Sequence, residues 1–151
     1  MRVGQSERNR NQASVDAGSP DGLAKSFRDL HVYQNALSLV VDVHQFCKTL
    51  PPQERFVLTD QMRRASRSVC ANLAEAWRKR RYGGAFVSKL SDAETEATEM
   101  QCWCDVGLLL GYMSPEQYKA FDDRYDHVIG QTSRMIQDAP RWCRNALGRK
   151  G

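Results

Sequence analysis

The sequence has no long apolar run. Nothing in it approaches the roughly 20 residues of a membrane span, and its N-terminus lacks the apolar core of a signal peptide, so the expected home is the cytoplasm. It has no strict apolar–polar alternation bounded by turns, so strands are not expected. It has no Gly-rich phosphate loop, and Gly83-Gly84 reads only as a turn. The five cysteines, Cys47, Cys70, Cys102, Cys104 and Cys143, are odd in number and form no C-x-x-C pair. In a reducing compartment they read as small hydrophobes or a free thiol rather than a disulfide framework. What remains is 151 residues with 41% hydrophobic content, which suits one domain with one core.

The net charge of +4 is mild but unevenly distributed. Residues 27–140 carry 14 basic and 15 acidic side chains, while residues 141–151 carry Arg141, Arg144, Arg149 and Lys150 and no acid. Within positions 55–81, eight basic residues face only Asp60 and Glu75. Positions 85–111 hold Lys89 alone against Asp92, Glu94, Glu96, Glu99 and Asp105. Segregation of this kind suggests an oriented basic surface, or subunits that pair by charge.

Helical periodicity organises the chain. Residues 1–26 are polar, with little to bury, and are expected to be a disordered tail. A first helix is predicted from Phe27–Leu30 to about Thr49, with the stripe Tyr33, Leu37, Val40, His44, Cys47, ended by Pro51-Pro52. A second is predicted from Gln53 or Phe56 to Tyr82, with Met62, Ala65, Val69, Leu73 and Ala76 inward and Gly83-Gly84 as its break. A third runs from Ala85 to Leu110 on the heptad-like stripe Phe86, Leu90, Ala93, Ala97, Met100, Cys104, Gly107, whose small residues permit close approach. Gly111 suits a left-handed cap. Ser114-Pro115-Glu116-Gln117 then opens a fourth helix, with Tyr118, Phe121, Tyr125, Val128, Ile129, Thr132, Met135 and Ile136 inward, until Ala139-Pro140. Residues 27–140 are thus predicted to be an all-α, antiparallel up-down four-helix bundle, and residues 141–151 a basic tail.

Specific segments carry a family resemblance. Phe27-Arg28-Asp29-Leu30 opens the first helix and Leu50-Pro51 closes it; Gln61 to Glu75 combines a glutamine, paired arginines, alanine, serine and Asn-x-Ala-Glu. Phe86, the Ala93–Glu99 segment and Leu110-Gly111-Tyr112 continue the pattern. Over roughly residues 27–138 the chain resembles the "four helix bundle protein" family, also called the intervening-sequence protein family. Some of its members are encoded inside intervening sequences of bacterial large-subunit ribosomal RNA genes. The accessory variability protein of diversity-generating retroelements is a related bundle. Ala76 stands where the family usually has glycine, and Thr95-Glu96 where many members have Gly-Ser. The resemblance implies a homopentamer around a central opening and a nucleic-acid-binding role. For the retroelement relative, the implied partners are a reverse transcriptase and nucleic acid.

The candidate binding residues are Arg63, Arg64 and Arg67, on adjacent turns and able to track a phosphate backbone, with Arg78, Lys79, Arg80 and Arg81 near the helix end. The competing reading is a solvated charged face, or salt bridges to the glutamates of helix three. Of the aromatics only Trp77 and Tyr82 are close, so backbone or shape recognition fits better than base stacking. Gln61, Asn72 and Glu75 form the most characteristic motif. For Asn72 and Glu75 an internal polar clamp, through Arg64 or Ser68, is preferred to a metal or ligand role, because no nucleophile–base pair or second ligand accompanies them.

Asp92, Glu96 and Glu99 share one helix face, but a di-iron bundle needs Glu-x-x-His on two helices, and no histidine stands at that spacing. Cys102 and Cys104 point in different directions on a helix, so Cys47 and Cys104 are expected in the core, with His44 a satisfied bundle histidine. Trp77, Trp103 and Trp142 are expected at subunit contacts. The expected function is therefore a non-enzymatic, homo-oligomeric nucleic-acid-binding or nucleoprotein accessory protein without cofactor or metal. The alternative is a scaffold docking on a partner protein such as a reverse transcriptase.

Overall fold

The computed structural model describes residues 24–146, which are helical in eight segments joined by short turns. The four long helices are α1 (His31–Cys47), α2 (Leu58–Arg78), α3 (Gly83–Leu109) and α4 (Pro115–Gln137). A short fifth, α5 (Ala139–Ala146), follows. No strand occurs among the described residues. Most of the predicted N-terminal tail, and Arg149 and Lys150, lie outside the described residues.

The chain enters through a capped turn. Ser26 Oγ accepts from the Arg28 N–H, and the Asp29 carboxylate accepts from the N–H groups of Ser26 and Lys25. Those backbone donors hold the Asp29 carboxyl below its ordinary range. Residues 27–29 therefore form a 3-10 turn, and α1 starts at His31, later than the sequence suggests.

The buried stripe of α1 corrects the predicted one. Val32, Ala36, Leu39, Val43, Phe46 and Cys47 face the core, whereas Leu37 is 46% exposed and Tyr33, Val40 and His44 are half-buried. The face is rotated by one residue, about 100°, from the Tyr33–Leu37–Val40 phase. The other boundaries also move. Pro52–Glu54 is a separate 3-10 turn, α2 begins at Leu58 and ends at Arg78, and Lys79–Arg81 is another 3-10 turn. Gly83 and Gly84 are the first residues of α3 rather than a gap before it.

The stripes of α2 and α3 are buried as predicted, Met62 through Ala76 and Phe86 through Gly107. Alanines at 65, 76, 93 and 97 let these two helices pack more extensively than any other pair. Gly111, at φ 76°, ends α3 in a Schellman motif: Tyr112 N–H donates to the Gly107 carbonyl and Gly111 N–H to that of Leu108. Ser114 and Gln117 then form the capping box of α4.

Cross-helix contacts run in opposite registers along neighbours. Asn35 donates to Gln131 and Arg124 pairs with Asp42, while Phe46 meets Phe121 edge to face. Between α3 and α4, Gln101 donates to the Asp122 carbonyl and Tyr118 to Asp105.

The basic tail expected at 141–151 is helical through Ala146. Pro140 does stop α4, but it occupies the first turn of α5, where its missing N–H costs nothing. Trp142, only 2% exposed, inserts against Trp77 with centroids 6.4 Å apart. Both indoles are buried within one chain, which corrects their expected place at subunit contacts.

Candidate nucleic-acid interface

Helix α2 presents the arginines because its apolar stripe fixes its rotation. With Met62, Ala65, Val69 and Leu73 inward, Arg63, Arg64 and Arg67 are turned out and exposed. Arg63, Arg67 and Arg78 fall on one helical face, with exposed Ala71 and half-buried Ala74 between them. The span from 63 to 78 is roughly 22 Å. Small Ala71 and Ala74 stand between the two basic ends, with the exposed Glu75 carboxylate at the edge of the same face.

The basic residues are not equivalent. Arg64 Nη2 donates to Gln61 Oε1 at 2.8 Å, and its charge also acts on Glu96 of α3. Arg67 Nη1 donates to the Arg63 carbonyl at 3.2 Å. Arg80 is turned inward: its guanidinium lies 3.4 Å from the Trp77 ring centroid, and burial lowers its proton affinity. Arg63, Arg78, Lys79 and Arg81 are exposed and form no ion pair among the described residues.

The characteristic polar motif divides in two. Asn72 Nδ2 donates to Ser68 Oγ, one turn back, at 3.3 Å. Glu75 pairs across to Lys89 of α3 at 2.7 Å, which raises the Lys89 ammonium above its ordinary range. Both groups are solvent-accessible, so this pair orients more than it stabilises. Farther along the same interface, Glu96 is half-buried beside Glu99, Ser68 and Arg64. Burial and Glu99 raise its carboxyl, while Ser68 and Arg64 oppose the rise. Sequence reading placed Glu96 and Glu99 on one helix face and raised arginine contacts to the glutamates of this helix; the part of Ser68 in the cluster was not foreseen.

Among the described residues, no group of three His, Cys, Asp or Glu is arranged to hold a metal ion. Cys47 and Cys104 are core residues, with burial pushing the Cys104 thiol up to about 12. A cleft of about 200 Å³ is lined by His44, Cys47, Lys48, Thr59 and Arg63. Burial raises the Cys47 thiol against the opposing charges of Arg63 and Arg67. No described helix is long and apolar enough to cross a membrane.

Residues 28–134 match the 23S rRNA-intervening sequence protein family, and the chain belongs to it. The chain is also similar to a solved structure, a protein with unknown function from the S23 ribosomal protein family of Bacteroides thetaiotaomicron VPI-5482. The two are 26% identical, the match covers 70% of this chain and 98% of that one, and the TM-score is 0.65. No curated protein matches the chain.

Proposed function

We propose that this chain is a non-enzymatic nucleic-acid-binding or nucleoprotein accessory protein of the cytoplasm. In this reading it works as a homo-oligomer, a pentamer by family resemblance, of antiparallel four-helix bundles, each extended by α5. The observation that carries the proposal is the set of exposed cations Arg63, Arg78, Lys79 and Arg81 on α2 and the turn after it, which form no ion pair among the described residues. The family's association with a ribosomal RNA intervening sequence supports RNA as the first ligand class to test. Arg67 and Arg64 add charge to the same surface, whereas Arg80 supports it from below through Trp77. Phosphate contact of this kind releases counterions, so affinity should fall steeply with salt. The test is binding to a structured RNA and to duplex DNA across a salt series. Absence of binding at low salt by an intact oligomer would remove the proposal.

One observation favours the alternative, a scaffold for a partner protein such as a reverse transcriptase. The turns before α2 and after α3 meet at one end of the bundle, where Tyr112 Oη donates to Glu54 at 3.3 Å. There Phe56 is 82% and Leu109 86% exposed, beside exposed Val57 and Leu110. Exposed apolar groups in one patch mark protein contact. A partner retained after nuclease treatment, and lost on Phe56→Ser/Leu109→Ser, would support that reading.

A further inference from the structure

The turn between α2 and α3 holds an exposed aromatic ring inside a run of cations. Tyr82 is 66% exposed, and Arg78, Lys79 and Arg81, all exposed, precede it. Its backbone is fixed at both sides: its N–H donates to the Lys79 carbonyl and its carbonyl accepts from the Phe86 N–H, each at 2.9 Å. The ring is therefore carried on a rigid turn without being packed away. Gly83 and Gly84 follow, and a Cβ added to either would meet nothing within 4 Å, so the approach beside the ring is open. Helix α5 packs against the same turn and adds exposed Arg144 to this end of the molecule.

Trp77 cannot serve the same purpose. Its indole is buried, covered by the Arg80 guanidinium and flanked by Trp142. Phe56 is the other exposed aromatic among the described residues, but it stands at the opposite end of α2, where Arg55 lies over its ring at 5.3 Å and Glu54 and Asp60 flank it in sequence. Among the described aromatics, only Tyr82 combines exposure with a run of several cations beside it.

We infer that Tyr82 is a stacking platform for an unpaired base, with Arg78, Lys79 and Arg81 taking the adjacent phosphates. The ligand class is single-stranded RNA or the unpaired loop of a folded RNA. Inside an uninterrupted duplex this ring finds no free base face, because each internal base is already stacked on both sides. This inference rests on the nucleic-acid reading above and narrows it.

The experiment compares a single-stranded RNA with an uninterrupted RNA duplex of equal length. It uses the full chain and its Tyr82→Ala, Tyr82→Phe and Arg78→Ala/Arg81→Ala variants, with the oligomeric mass of each measured in the same buffer. Tyr82→Ala is expected to weaken single-strand binding by roughly five- to a hundredfold and to leave duplex binding unchanged. Tyr82→Phe keeps the ring and retains affinity, and the double arginine variant weakens both ligands. If the intact protein binds RNA but Tyr82→Ala binds single strands as well as it does, the platform is overturned while the nucleic-acid reading stands. If neither RNA binds, both fall. If Tyr82→Ala lowers the oligomeric mass, the ring belongs to a subunit contact and the inference is overturned as well.

Discussion

The Arg80 guanidinium stacks on the Trp77 ring, and its Nε donates to the carbonyl of that same residue at 2.9 Å. One member of the basic run is thereby spent on holding the end of α2, beneath the cations that remain exposed. Arg80→Ala should therefore lower stability by about 1 kcal/mol and change RNA affinity less than about twofold. Arg78→Ala/Arg81→Ala should do the reverse, weakening RNA binding with little effect on stability. Denaturant unfolding and RNA titration on both variants check the contrast, and equal losses of affinity would contradict it.

Trp142 anchors α5 to the bundle through Trp77. Trp142→Ala should cost about 3 kcal/mol and expose the last helix to proteolysis. Urea unfolding gives the first quantity, and mass analysis of a brief protease digest locates the cut. A variant with wild-type stability and an uncut C-terminus would mean that α5 is not held by this indole.

Two glycines should respond in opposite senses. Gly111 has φ 76°, where a side chain is strained, so Gly111→Ala should destabilise by about 1 kcal/mol. Gly130 lies inside α4 with nothing within 4 Å of an added Cβ, so Gly130→Ala should stabilise by up to about 1 kcal/mol. In a domain of this size each change moves the melting temperature by about 3 °C. A Gly111→Ala melt at or above wild type would overturn the assignment of strain to Gly111, and a lowered Gly130→Ala melt would overturn the open space at Gly130.

Glu96 gives a pH dependence with a defined sign. Burial first, then Glu99, raises its carboxyl above the ordinary value of 4.5. A raised acid holds its proton more tightly when folded, so its stabilising contribution is present in acid and is lost as pH rises from the ordinary value through the raised one. Over that window the wild type should lose stability relative to Glu96→Gln, and at neutral pH the variant should melt at or above wild type. Parallel melting curves, or a lower-melting variant at neutral pH, would show that the charged form is the favoured one.

The predicted helices and the observed ones differ where more than one apolar phase was available. Small residues restrict α3 to a single buried phase, and all seven positions of its stripe are correct. Helix α1 carries Leu37, Val40 and Val41 on one side and Val32, Leu39 and Val43 on another, so periodicity alone does not choose between them. Burial against α2 and α4 selects the second. The short α5 was hidden because Pro140 marks both the stop of α4 and the start of a new helix, and because the docking of Trp142 on Trp77 joins residues 65 positions apart. The outward turn of Arg63, Arg64 and Arg67 was legible from the α2 stripe. The inward turn of Arg80 was not, since it depends on that long-range tryptophan pair.

The cysteines should react in the order of their exposure. Cys102 is exposed and Cys143 half-buried, while Cys70 and Cys104 are buried, with thiols pushed up to about 11 and about 12. Alkylation of the native protein followed by peptide mass analysis should label Cys102 first, Cys143 more slowly, and Cys70 and Cys104 only on unfolding. Early labelling of Cys104 would contradict its place in the core.

The most direct measurement is the affinity of the intact protein and of Arg63→Glu/Arg67→Glu for a structured RNA, at low salt and across a salt series, with the mass of each in solution measured alongside. The expected result is micromolar or tighter binding that falls with salt and collapses in a variant of unchanged mass. Undiminished binding by that variant, or none by the wild type, would contradict a phosphate-contacting role for this face of α2.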